Sequence, residues 1–241
     1  MIDQVAFAAA TDESRPILTG VLAKFSGSTL TFAAADGFRL SVRTAPLLTP
    51  VDKPMEVIIP SRALAELGRV SGEQEDPVSI LVTPQRSQVL FHLSNVDLVS
   101  QLIDGKFPDY TAIMPKRYDT RVVMDTLPLL KACKAASVFA RENANIARVG
   151  VAPGSELAPG HVTVQATAAE TGDNAGELDA AVEGGPIEIA FNVKYMIDVL
   201  NVAGTPQVVL ETTTPASPGV IRPIGDDSFT HVIMPMHIGG R

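Results

Sequence analysis

Short alternating apolar runs dominate this chain, and only four stretches carry the composition or the three-to-four-residue rhythm of a helix. Residues 2–10 have helical composition and end near Thr11-Asp12. Alternation predicts strands over residues 17–25, 29–34 and 40–43, separated by the turn formers Ser26-Gly27 and Asp36-Gly37. Pro46, Pro50 and Pro54 predict a loop, after which a strand over 55–59 leads into a helix capped by Ser61. Ala63, Leu64, Leu67 and Val70 fall on one face of that helix. Strands at 78–83, 88–93 and 98–103 complete a first unit, and the Pro- and Gly-bearing segment 104–117 reads as a connector.

A second unit opens with a strand over 121–124. A helix starts near Thr126, with Pro128 tolerated in its first turn, and runs to about Glu142. Strands alternate with Gly/Pro turns up to a helix over 193–202 that ends at Gly204, and a last strand covers 230–236. Two helices against antiparallel sheet in each unit make the class α+β, with domains predicted at residues 1–118 and 119–241.

The two units also repeat one pattern. Ile58-Ile59-Pro60-Ser61-Arg62-Ala63-Leu64 is echoed by Ile189-Ala190-Phe191-Asn192-Val193-Lys194-Tyr195, so that the cap positions Ser61 and Asn192 are 131 apart (192 − 61). Gly20-Val21 and Gly150-Val151 are 130 apart (150 − 20). At this register, residues 121–130 have no counterpart in the first unit. That unit is therefore expected to start inside a helix and to lack a strand, as an N-terminally truncated domain would.

Composition narrows the picture. Apolar residues make up 46% of the 241, while aromatics are 5% and Trp is absent, so the cores are expected to be aliphatic. A net charge of −8 argues against wholesale nucleic-acid binding but permits a local basic face. Cys133 is the only cysteine, the N-terminus has no basic signal region, and no apolar run is long enough to span a bilayer. These features predict a cytoplasmic protein.

Catalytic chemistry is not written into the sequence. His92, His161, His231 and His237 are scattered without metal-ligand spacing, and Cys133 sits among alanines as a small core filler. No phosphate-binding loop, dinucleotide fingerprint or nucleophile elbow occurs. Asp104 and Asp109 flank a turn, where turn formation outweighs acid–base work. The expectation is a non-enzyme with no catalytic residue, cofactor or metal. Cations are better placed: Arg62 and Arg69 on one helix face, and Lys131, Lys134 and Arg141 on another. Such a face is either simply solvated or contacts phosphates without reading sequence. The terminal run Val232-Ile233-Met234-Pro235-Met236 fits either an adaptable peptide groove or a closing core strand.

Four motifs together resemble a known family. Asp36-Gly37-Phe38-Arg39-Leu40, the run from Leu102 through Asp104-Gly105-Lys106-Phe107-Pro108-Asp109-Tyr110, Phe191-Asn192-Val193-Lys194-Tyr195 and Val232–Met236 look like the bacterial DNA sliding clamp, the beta subunit of DNA polymerase III. The resemblance covers the middle and C-terminal domains of that family. It implies a DNA-clamp fold of duplicated βαβββ units, with antiparallel sheets outside and helices lining an inner face toward duplex DNA. It further implies a processivity factor that tethers the polymerase without enzymatic activity. By this resemblance the DNA-facing residues are Arg62, Arg69, Lys131, Lys134, Arg141 and Lys194. The implied peptide pocket between the domains comprises Arg15, Leu18, Gly37, Phe38, Pro108, Ile113, Asn192, Tyr195, Val232, Met234, Pro235 and Met236. The implied partners are duplex DNA, the DNA polymerase III alpha subunit, the clamp loader, and other DNA polymerases and repair proteins that bind through short peptides. The family forms a homo-oligomeric ring.

The chain departs from the family pattern at Ala35, where Thr is usual, at Thr111-Ala112, where arginines are common, and at Met236-His237-Ile238 with Gly239-Gly240-Arg241 beyond. Two competing readings remain: a ring-incompetent module that binds partner peptides only, and a ring closed by three two-domain chains.

Overall fold

Gly27 and three prolines, which in the sequence read as breaks, lie inside the two longest strands. The computed structural model describes all residues except 73, 157, 169–171 and 238–241. Strand β1 (Gly20–Ala35) pairs antiparallel with β2 (Arg39–Pro60) from Gly20↔Pro60 to Ala35↔Leu40. The register shifts on either side of Gly27, whose φ of +54° makes it a bulge rather than a chain reversal. Pro46, Pro50 and Pro54 are exposed in β2, so the strand crosses the expected loop. Their fixed φ suits extended backbone, and exposed positions cost no buried ladder bond.

Two units form the chain, Met1–Tyr110 and Thr111–Arg241. In the first, β2 feeds α1 (Ser61–Val70), and β3 (Ser79–Val82), β4 (Gln88–His92) and β5 (Asp97–Gln101) form an antiparallel sheet. Leu64 and Leu67 of α1 pack on Phe25, Phe32, Ile59 and Phe91, giving this unit a partly aromatic core. The helix expected over residues 2–10 is instead two 3-10 turns, Ile2–Gln4 and Ala6–Ala8. Their i→i+3 bonds, Val5 N–H to Ile2 and Ala9 N–H to Ala6, tuck Val5 and Ala8 into the same core. Another 3-10 turn, Pro16–Thr19, replaces the start of the expected strand at 17, closed by the Thr19 hydroxyl donating to the Pro16 carbonyl at 2.7 Å.

The second unit contains the βαβββ plan twice. β6 (Thr120–Asp125), α2 (Thr126–Ala140), β7 (Ile146–Ala152), β8 (Gly160–Ala168) and β9 (Gly172–Gly184) make one copy. β10 (Ile187–Asn192), α3 (Val193–Val202), β11 (Gln207–Thr212), β12 (Gly219–Pro223) and β13 (Phe229–Ile233) make the other. The strands are antiparallel neighbours in the order β13-β12-β11-β6-β9-β8-β7-β10. Leu129, Cys133, Ala136 and Ala140 form the buried stripe of α2, at helical spacing. Small residues allow close approach: a Cβ on Gly176 would lie 3.1 Å from the Ala132 methyl.

Residues 111–118 fall with the second unit, eight residues before the expected boundary (118 − 110). Pro115, Lys116, Arg117 and Tyr118 lie against Glu211, Val220 and Arg222, and the Asp119 N–H donates to Thr212 at 2.9 Å. The repeat register also needs correcting upstream. Gly20 pairs with Pro60, the N-cap of α1, whereas Gly150 pairs with Glu188, four residues before the cap Asn192. The helices are equivalent but the glycines are not.

Candidate functional site

In the first unit a single carboxylate builds the presenting turn. Asp36 Oδ1 accepts from the N–H groups of Phe38 (2.9 Å) and Arg39 (3.0 Å), while Oδ2 accepts from Arg39 Nε at 3.0 Å. Arg39 reaches on to the Phe7 carbonyl at 2.8 Å, and its guanidinium lies 5.2 Å from the centre of the Phe7 ring. Gly37, at φ +96°, turns the chain in a region that side chains disfavour. The result is Phe38 held out on a fixed backbone with 54% of its surface exposed. Arg15 lies alongside, since a Cβ on Gly37 would meet its Nη1 at 2.9 Å. Leu18 is half-buried on the Pro16–Thr19 turn, and Pro108 is exposed on the connector. Arg15, Gly37 and Phe38 are thus brought together from residues far apart in sequence. Arg39, part of the Asp36–Leu40 motif, is not among the implied pocket residues, although its i,i+3 spacing from Asp36 is a legible signal.

The second unit holds the remaining seven pocket residues. Asn192 caps α3, its Oδ1 accepting from the Lys194 N–H at 3.0 Å. Half-buried Tyr195 follows on the first turn of α3. The chain leaves β13 at Ile233, and the Met236 N–H donates to the Ala190 carbonyl at 2.8 Å, which lays the terminal run beside the end of β10. Met234, Pro235 and Met236 are half-buried, so each keeps an open surface. Val232 differs, being 2% exposed inside β13. It supports this surface from beneath and offers no side-chain face to a ligand. Ile113 is exposed. Residues 238–241, which include the departure from the family pattern at the terminus, lie outside the described residues.

The cations divide by whether an acid lies near. Arg69 is bound by Glu66 through two bonds of 3.0 and 2.5 Å, and Arg62 lies 3.9 Å from Glu13. The Arg69 bonds hold the Glu66 carboxyl below its usual range and raise the Arg69 guanidinium. On α1 the Arg69 charge is thus matched by Glu66, which lies on the same face at i,i+3 spacing. On α2, Lys131 and Lys134 are exposed, and the helix contains neither Asp nor Glu over its length. Exposed Arg141 is its C-cap. Lys194 is exposed on α3.

Among the described residues there is no cluster of three metal-ligating side chains. Cys133 is buried, and desolvation pushes its thiol up to about 12, far from a nucleophile. Tyr110 is raised by burial, then by repulsion from Asp109 and Glu56. Asp12 is held below its usual range by the Ser14 hydroxyl and N–H. His92 Nδ1 is 2.5 Å from Asp97 at the surface, and His231 is buried in β13. Among the described residues, no helix is long and apolar enough to cross a membrane.

Comparison with known proteins matches both units. Residues 1–109 match the family described as DNA polymerase III beta subunit, central domain, and residues 111–237 match its C-terminal domain. A beta sliding clamp of Staphylococcus aureus is 36% identical over 237 residues, covering 98% of this chain and 61% of that protein. The Bacillus subtilis beta sliding clamp is 33% identical over 238 residues with the same coverage. A crystal structure of the Bacillus subtilis sliding clamp gives a TM-score of 0.91 at 33% identity over 98% of this chain and 61% of that one. A Pseudomonas aeruginosa sliding clamp bound to griselimycin gives 0.90 at 31% identity over 99% and 62%. The chain spans about three fifths of the length of these relatives.

Proposed function

The chain belongs to the bacterial DNA sliding-clamp family, the beta subunits of DNA polymerase III, and from that premise we propose that it works in DNA replication as a processivity factor. In this reading it binds duplex DNA without regard to sequence and holds short segments of the polymerase and other partners, with no chemistry of its own. The observation that carries the DNA part is α2, a helix with exposed Lys131 and Lys134 and no carboxylate in a chain of net charge −8. Lysine side chains on a helix face contact phosphates as mobile point charges, which suits movement along a duplex better than base readout. Lys194 and Arg141 extend the proposed contact. Arg62 and Arg69 contribute less, since each has a carboxylate nearby.

Partner segments are taken by the surfaces that carry Phe38 and Arg15 in one unit and Tyr195, Met234, Pro235 and Met236 in the other. An exposed aromatic on a rigid turn and two methionines with open faces supply apolar burial for varied side chains. The griselimycin complex of the Pseudomonas aeruginosa relative supports a ligand-accepting surface in this family. A primer-extension assay with the replicative polymerase and clamp loader tests the proposal. Added chain is expected to lengthen the products of a single binding event, and product lengths that do not change would refute it.

A further inference from the structure

On the second unit's sheet, the face of β6, β11 and β12 that carries Arg121, Glu211 and Arg222 alternates with the buried face of Val122, Met124, Val208, Leu210 and Ile221. Residues 115–118 cross this half-open face and close a pocket of about 150 Å³, floored by Val220 and lined by Lys116, Arg117, Tyr118, Glu211 and Arg222. Three cations and one carboxylate therefore line it. The carboxylate is already committed: Glu211 accepts from Arg222 and lies 3.6 Å from Arg121. With side-chain exposures of 14% for Glu211 and 28% for Arg222, the pair is largely withdrawn from water. Arg222 is fixed further by donating from Nε to the Thr230 hydroxyl at 3.3 Å. Arg121 has Glu183 opposite it on β9 as well as Glu211 on β11, so it is matched locally. Lys116 and Arg117 are exposed, and neither has an ion-pair partner among the described residues.

We propose that this pocket is a binding site for a phosphate dianion, either free or as a phosphate monoester. The lining leaves two positive charges unmatched, which a dianion neutralises and a single carboxylate does not. The parts differ in mobility in a way that suits capture. Arg222 is a pre-set donor held by Glu211 and Thr230, while Lys116 and Arg117 close on the ligand from an exposed segment. Tyr118 adds a hydroxyl and a partly apolar wall. The site is independent of the α2 lysines, which belong to a helix rather than to this strand face.

The test is an NMR titration of the full chain at fixed ionic strength with inorganic phosphate, phosphoserine and acetate as separate probes. Saturable shifts are expected for the amides of residues 116–118 and 220–222, with half-saturation at roughly millimolar phosphate. Acetate is expected to bind at least tenfold more weakly. Phosphoserine saturating the same amides identifies the site as one for monoesters, and saturation by inorganic phosphate alone identifies it as one for the free ion. The double variant Lys116→Ala with Arg117→Ala is expected to lose saturation while the spectrum elsewhere stays unchanged. Equal response to acetate and phosphate, non-saturating shifts, or an undiminished response in the double variant would each overturn the proposal.

Discussion

Replacing Phe38 by Ala isolates the aromatic anchor from the turn that presents it. The turn is made by Asp36 accepting two backbone N–H groups and the Arg39 side chain, and none of these bonds involves the Phe38 ring. The variant should therefore keep its fold, with stability within about 0.5 kcal/mol of the parent, as for surface changes generally. Full burial of a Phe side chain is worth about 1.5–3 kcal/mol. Because 54% of Phe38 is open in the free chain, a ligand can cover about half of it, giving roughly 0.8–1.6 kcal/mol. That corresponds to about a four- to fifteenfold rise in Kd. The assay is fluorescence anisotropy with a labelled clamp-binding peptide of the polymerase alpha subunit, alongside urea unfolding of each variant. A Kd changed less than twofold in a variant of unchanged stability would refute the reasoning that an exposed ring on a pinned turn is a binding anchor.

Two further predictions concern the fold. Asn192→Ala should cost about 1 kcal/mol, the usual worth of a side-chain cap, whereas Ser61→Ala should cost less than half of that, because Ser61 makes no capping bond; urea midpoints of the two variants read the contrast. Cys133 should resist thiol reagents at pH 8 in the folded chain and react at once in denaturant. Its folded value of about 12 lies above the ordinary 9.0, so the stability it contributes is complete below pH 9 and is lost as pH rises toward 12. Unfolding measured across that alkaline window should show the decline, and a thiol that labels readily in the native state would contradict the burial argument.

The helices were legible wherever an apolar stripe and a terminator agreed. Val193 to Gly204 was such a case, with the Asn192 cap in place. Ser61 misled because a serine after a strand resembles an N-cap, while Pro60 takes that position and Ser61 is already helical. The first two strands of the first unit are longer than the sequence suggested, since Gly and Pro usually punctuate loops. Here they sit in a long exposed ribbon where a bulge and missing donors are tolerated. Residues 2–10 had helical composition, but composition does not separate 3-10 turns from an α-helix when Val5, Ala8 and Ala9 must all reach the core. At the candidate site, the residue types were readable and their partners were not. Val232 turned into the core follows from side-chain direction, which a motif does not encode, whereas Glu66 beside Arg69 is legible from its i,i+3 spacing on the predicted helix.

Sequence-indifferent attraction to duplex DNA is most directly tested by the salt dependence of binding. Anisotropy with two duplexes of unrelated sequence, followed from about 50 to 200 mM salt, measures the number of phosphate contacts as a slope of roughly 0.9 per contact. Equal affinity for both duplexes is expected, with a slope reduced by about 1.8 when Lys131 and Lys134 are both changed to Ala. A preference for one sequence, or a slope unaltered by loss of the two α2 lysines, would contradict the proposed DNA contact.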